Sequence, residues 1–278
     1  MIELTMEQGS LEWHEARSGI VTSTRMNSAL GTPAVQKTLL NTLVAERMAQ
    51  NIYENFTSDA MQHGNDTEDM ARIVAAKKLD KNFEKIGMIK SEIVDAAMSP
   101  DAVYREGGKI VGGLEIKCPN SNKHVEYLID NSIPKGSKGY YDQVLTPFIL
   151  SDDVEWWVFM SYDYRNYQLP EFYRILMRSD IKDDIKGYRE KLAAFNKKVN
   201  DAYFELCGFD YDGETPRVWQ TPEMMVKMMK PMSEQDNGIP IVKCNGCGGL
   251  LDAADQLSGG DVCGECSNPV MEGKTNEV

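Results

Sequence analysis

Apolar positions recur along this chain with two periods, near 3.6 residues and near 2, and their succession predicts the elements. Ser10 caps a short first helix with Glu12 in its first turn; Trp13 and Ala16 face inward and Arg17 lies one turn beyond Trp13. A second helix begins at Thr22-Ser23-Thr24. Thr32-Pro33 opens a third, whose stripe is Leu39, Leu40, Leu43, Val44, Met48 and Ile52. A fourth is predicted to start at Asp66 or Thr67, turning Met70, Ala71, Val74, Ala75 and Leu79 inward, with Glu68 in its first turn. Strands follow at about 86–90, 93–98 and 110–117, then a short helix within 120–131 and another over 140–150, bent or ended near Thr146-Pro147. The β-branched and aromatic run 154–162 reads as a buried strand, and 172–178 as a further one. Over 180–206, Ile181, Ile185, Tyr188, Leu192, Phe195, Val199 and Tyr203 mark a long helix that buttresses the sheet. Met224, Met225, Met228 and Met229 lie in a last short helix that forms a core edge. The expected fold is α/β (α+β), a mixed central sheet flanked by helices.

Composition narrows the class. The chain has 278 residues, 42% of them hydrophobic, enough for one large domain plus a small appendage. No apolar run approaches a membrane span, and Met1-Ile2-Glu3-Leu4 does not read as a leader, so cytoplasmic residence is expected. The net charge of −13 excludes a protein that grips nucleic acid over its whole surface. From Pro231 onward, Lys243 and Lys274 face eight acids. Any DNA contact is therefore local, through a basic channel and bound metal, or is supplied by a basic partner.

The candidate chemistry lies in Ser99-Pro100-Asp101 and, fourteen residues after the aspartate, Glu115-Ile116-Lys117. On a strand, Glu115 and Lys117 project to one face while Leu114 and Ile116 turn to the core. A hairpin would bring Asp101 beside them. Two carboxylates suit a hard cation such as Mg²⁺. An adjacent lysine can orient or deprotonate a water, as metal-dependent phosphodiester hydrolysis requires. Taken alone, E-x-K is more often a solvated strand face and Pro-Asp a turn.

The surrounding motifs resemble the lambda-exonuclease-like (YqaJ-type viral recombinase) nucleases of the PD-(D/E)-x-K superfamily. The segments that carry this are Gln8 to Arg17 with Gly19 to Ser23, His63 to Arg72, Ser99-Pro100-Asp101, Leu114 to Pro119, and Tyr140 to Val144. They stand in the family's order over roughly 8–165. Three departures stand out: Ala102 where the family has glycine, a longer span between Asp101 and Glu115, and Leu145 where a second glutamine is common. The resemblance implies a restriction-endonuclease-like core and a Mg²⁺- (or Mn²⁺-) dependent exonuclease. Such an enzyme degrades the 5′-ended strand of duplex DNA ends and leaves a 3′ overhang for a single-strand-annealing protein. It implies Asp101, Glu115 and the Ile116 carbonyl as metal ligands and Lys117 as the residue that activates or orients water. Glu68 becomes an outer carboxylate, Gln143 points at the site, and Arg17 with Ser23 holds a terminal 5′ phosphate. A ring-shaped homo-oligomer is also implied. Two rivals stay open: a same-fold endonuclease or single-strand-specific nuclease, and a non-catalytic scaffold for DNA ends or a recombinase.

Three further features are read from the residues. Lys135 to Gly139 is a basic loop that touches a DNA backbone or a solvated turn; Tyr140 and Tyr141 stack on bases or pack in the core. Cys118 and Cys207 read as packed thiols. Cys244-x₂-Cys247 and Cys263-x₂-Cys266, fifteen residues apart, match a structural zinc site, with an iron–sulfur cluster as the alternative. The expected organisation is a nuclease domain over 1–230, a linker over 231–241, and a zinc ribbon with acidic tail over 242–278.

Overall fold

A computed structural model describes residues 1–48, 59–136 and 139–213, with the backbone alone for 59–66. Ile52, Ser137-Lys138, the methionine-rich helix, the linker and the cysteine ribbon lie outside the described residues. In chain order the elements are β1 (Ile2–Leu4), α1 (Leu11–Arg17), β2 (Val21–Thr22), α2 (Ser23–Ala29), α3 (Pro33–Met48), α4 (Asp59–Leu79), β3 (Met88–Lys90) and β4 (Ala96–Met98). There follow β5 (Ala102–Glu106), β6 (Lys109–Lys117), α5 (Ser121–Asp130), α6 (Tyr141–Leu150), β7 (Trp156–Tyr162), β8 (Glu171–Met177) and α7 (Arg178–Cys207).

The expected single central sheet is instead two four-stranded sheets, ordered β1-β3-β4-β2 and β5-β6-β7-β8. Each mixes one parallel pair, β2 with β4 or β6 with β7, with antiparallel neighbours. The break falls at Ser99-Pro100-Asp101, between β4 and β5. Proline has no N–H to give a ladder. The Asp101 carboxylate takes the Ile116 N–H that another strand residue would have taken. Among the strands, β1, β2 and β5 escaped the sequence pattern; the first two are three and two residues long, too short to display alternation.

In the second sheet, β6 and β7 turn Leu114, Ile116, Val158 and Met160 toward α4, where Ala71 and Ala75 let the helix approach. Their other face, with Trp157 and Phe159, packs beneath α6 and α7 through Val144, Leu145, Phe148, Leu192 and Phe195. Helices α5 and α6 form the crossover between the parallel strands.

Several inward positions differ from the pattern. Helix α4 starts at Asp59, so Glu68 sits in its interior rather than its first turn. Cap-type residues disfavour a helix interior only mildly, and buried Thr67 finds a tertiary partner in the Cys118 thiol. Met48 and Met70 are exposed, and Arg47 is buried in place of its neighbour Met48. Helix α6 continues through Pro147, which cannot donate to the Gln143 carbonyl four residues back.

Candidate active site

Strand register brings the acids together. β5 pairs with β6 with Ala102 opposite Leu114. One step further sets Asp101 opposite Glu115. There Asp101 Oδ2 accepts from the Ile116 N–H. In a strand the N–H and C=O of one residue face the same neighbour. The Ile116 carbonyl therefore also faces the Asp101 side, where the ladder has ended.

Glu115 is 4% exposed, and its Oε1 lies 2.5 Å from Lys117 Nζ. The Lys117 ammonium also stands 5.2 Å from the centre of the Tyr140 ring. Burial works against the lysine's charge, but Glu115 and Asp101 more than offset it and hold its pKa well above the usual range. Lys117 is thus a cation throughout the neutral range, placed to orient a water or meet negative charge rather than to take a proton. Asp101 keeps part of its surface open while its carboxyl is packed within protein. Burial first, then the Glu115 charge, push its pKa up to about 8, against the pull of Lys117, with Glu68 pushing further and the Ile116 N–H holding it down.

Glu68 approaches from α4. Burial raises its pKa despite Lys85, whose Nζ is 3.9 Å away, and despite Lys117. Gln143 is half-buried one turn beyond Tyr140 on α6. The structure thus brings Asp101, Glu115 and Lys117 together, with the Glu68 charge felt at Asp101 and Gln143 on α6, whose N-cap Tyr140 faces Lys117. Tyr140 packs flat on Phe159, and Tyr141 lies beneath Lys135. Both tyrosines are therefore engaged by protein. Cys118 is half-buried, and burial pushes its thiol up, away from nucleophile character.

A second cluster adjoins the first. Ser99 Oγ accepts from Trp13 Nε1 at 2.7 Å and from Arg17 Nη1 at 3.2 Å. Gln8 Nε2 reaches the Pro100 carbonyl at 3.1 Å. The opening motif therefore converges through Gln8, Trp13 and Arg17 on the turn that carries Asp101. The guanidinium of Arg17 lies over the Trp13 ring at 4.1 Å. Its other arm is 3.5 Å from Thr24 Oγ1. Ser23, expected beside it, is 4% exposed, and the hydroxyl brought to Arg17 is that of Thr24. Burial, then nearby Arg25, bring the Arg17 pKa down to about 10, with Glu46 pulling the other way. Ser99 and Thr24, which meet Arg17, are candidate site residues that the sequence reading missed. Ser99 lay within the Ser99-Pro100-Asp101 motif and Thr24 within the predicted helix start Thr22-Ser23-Thr24, but a helix-start pattern does not say which of two adjacent hydroxyls turns outward.

The chemistry of the donor set fits a hard divalent cation. Two carboxylates, one forced toward protonation by its neighbours, are the groups such an ion neutralises. Among the described residues no three His, Cys, Asp or Glu side chains stand together as a metal cluster, so the remaining ligands would come from the Ile116 carbonyl and solvent. The four-cysteine site lies outside the described residues.

The YqaJ-like viral recombinase domain matches residues 12–152, just over half of the chain and, apart from Gln8, both clusters above. The chain belongs to this family. Of solved structures, the chain is similar to an alkaline exonuclease from Laribacter hongkongensis, at 25% identity, TM-score 0.61, covering 71% of this chain and 96% of that one. The same exonuclease in complex with dAMP matches at 24% identity and TM-score 0.60, over the same shares of each chain. No curated protein sequence matches. Among the described residues of this YqaJ-family chain, no helix is long and apolar enough to cross a membrane.

Proposed function

We propose that this YqaJ-family chain is a divalent-cation-dependent exonuclease that degrades the 5′-ended strand of linear duplex DNA. The 3′ overhang it leaves would pass to a single-strand-annealing protein. The observation that carries this reading is the position of Ser99. It contacts Arg17 and stands two residues before Asp101. A group that can hold a terminal phosphate is thereby fixed on the same turn as a carboxylate of the cutting site. An enzyme that acts on ends needs that adjacency; an endonuclease does not. The similarity to an alkaline exonuclease supports the same choice.

In this reading Asp101, Glu115 and the Ile116 carbonyl hold Mg²⁺ or Mn²⁺. When bound there, the cation would polarise the scissile phosphate and offset its developing charge. Lys117 orients the attacking water and meets the charge on the phosphoryl oxygens. Glu68 supplies an outer negative charge, and Gln143 directs a hydrogen-bond donor toward the phosphate. Arg17, with Thr24 and Ser99, receives the 5′ phosphate, where a planar guanidinium can bond two oxygens. Because contact is confined to this pocket, an acidic surface elsewhere is tolerable. A ring of several copies would retain DNA sterically.

The deciding experiment compares end-labelled linear duplex with circular and single-stranded DNA, with Mg²⁺ and with EDTA. Mononucleotides released only from linear duplex, from the 5′-labelled strand and only with the cation, are the expected outcome. Nicking of the circle would instead favour an endonuclease.

Arg17→Ala should narrow the preference for 5′-phosphoryl over 5′-hydroxyl ends. Losing a charge-assisted bond corresponds to roughly 1.5–3 kcal/mol, read from the two KM values in wild type and variant. Equal slowing on both ends would make Arg17 structural.

The C-terminal cysteines are proposed to carry one zinc per chain in a closed shell with no position for water or substrate. Metal analysis should return that ratio. A chain ending near Pro231 should lose the zinc and retain cleavage of linear duplex. If a folded truncation is inactive, the ribbon takes part in substrate engagement.

A further inference from the structure

The turn between Arg17 and Thr24 is held by two consecutive residues of α3. The Gly19 N–H donates to Glu46 Oε2 at 2.8 Å, and Arg47 Nε donates to the Gly19 carbonyl at 2.8 Å. Gly19 itself has φ +72°, a left-handed conformation, and a Cβ there would stand 2.6 Å from Arg47 Cγ. Glu46 has a second hold. Its carboxylate takes both arms of Arg25, one of them at 2.7 Å, and Arg25 directly follows Thr24 on α2. One carboxylate thus ties the segment after Arg17 to the helix that presents Thr24.

Arg47 anchors this arrangement from behind. Its side chain is 2% exposed. It bonds Asn200 Oδ1 at 2.7 Å and lies 4.4 Å from the Tyr211 ring centre, so the clamp is seated on α7 and the segment beyond it. On the opposite side of the turn, Arg17 Nη2 stands 3.5 Å from Thr24 Oγ1, with Arg17 half-buried and Thr24 exposed.

Charge adds a second reason. Arg25 lies close enough to Arg17 to disfavour its charge, and Glu46 opposes that effect. Without Glu46, two neighbouring guanidiniums would repel across the pocket mouth.

We infer that Glu46, with Arg47, is a positioning residue for the terminal-phosphate pocket: it sets the separation of Arg17 and Thr24 and neutralises Arg25 beside them. Neither residue reaches the reacting atoms. This rests on the phosphate-pocket reading above, and it makes recognition of the 5′ end depend on α3, outside the motifs that carry the chemistry.

The test uses the full chain with Mg²⁺ and linear duplexes bearing 5′-phosphoryl or 5′-hydroxyl ends. Glu46→Ala should raise KM for phosphoryl ends on the order of tenfold, since small misplacement of a binding group is costly. KM for hydroxyl ends and kcat should change far less. Glu46→Gln keeps an oxygen for the Gly19 N–H and should recover part of the preference. If Glu46→Ala does not fold, Glu46→Gln alone should still weaken the preference, through the uncompensated Arg25. Folded variants that keep the wild-type ratio of the two KM values, while Arg17→Ala collapses it, overturn the positioning role. An Arg17→Ala protein with the wild-type ratio removes the pocket reading itself, and this inference with it.

Discussion

Replacing Asp101 by asparagine should nearly abolish cleavage and, in cation-free protein, flatten the loss of stability toward alkaline pH. The two effects share one cause. Asparagine keeps an oxygen for the Ile116 N–H, so the turn is retained. It removes one of the charges that a cation would neutralise, which should cost about 10²–10³-fold in rate, as losing preorganised electrostatic stabilisation does elsewhere. The stability effect follows from proton linkage. Burial and the Glu115 charge raise the Asp101 pKa to about 8, above its ordinary 3.8. Between those values the folded chain binds a proton that the unfolded chain has released. That stabilisation is complete below the lower value and is lost as pH rises to the upper one. Wild type should therefore lose melting temperature between pH 5 and pH 9 more steeply than Asp101→Asn. Added Mg²⁺ should restore wild type at pH 9 by binding the folded state, and leave the variant unmoved. Equal pH slopes with equal Mg²⁺ responses would show that Asp101 is neither crowded nor a ligand. Cleavage by the variant at the wild-type rate would remove it from the site.

Lys117→Met should lower kcat by about 10²–10³-fold with a much smaller change in KM for duplex ends. Methionine approximates the stem's length and lacks the ammonium. What is lost is the group that orients water and faces the phosphoryl oxygens, while Arg17, Thr24 and Ser99 keep their contacts. The substitution also strands Glu115, which is 4% exposed and 2.5 Å from the ammonium in the native fold. Removing one partner of a buried pair costs about 3–5 kcal/mol, so the cation-free variant should melt well below wild type and recover with Mg²⁺. Single-turnover cleavage and thermal melts separate the two effects. A variant with wild-type kcat would assign the water to another group.

The candidate catalytic pair was legible because a period of two is local. Once 110–117 is a strand, Glu115 and Lys117 must share a face, and β6 bears that out. The same holds for α7, where seven apolar residues at helical spacing mark its core face without knowledge of the partner; Ile181, Ile185, Leu192, Phe195, Val199 and Tyr203 are indeed buried. The order of motifs also sufficed to place the chain in its family, which the match over 12–152 bears out.

What escaped depended on contacts between distant segments. Thr67 looks like a helix cap until Cys118 supplies its partner, so α4 began earlier than the pattern implied. Arg47 reads as a solvated charge until Gly19, Asn200 and Tyr211 enclose it. Thr24 rather than Ser23 meets Arg17 because the start of α2 turns one hydroxyl outward and buries the other. Division into two sheets was decided at Asp101, whose carboxylate occupies the N–H that would have continued the ladder. Local periodicity assigns a residue to a face. Only the folded chain determines what meets it there, and for a polar residue that partner decides whether it is solvated, structural or part of the site.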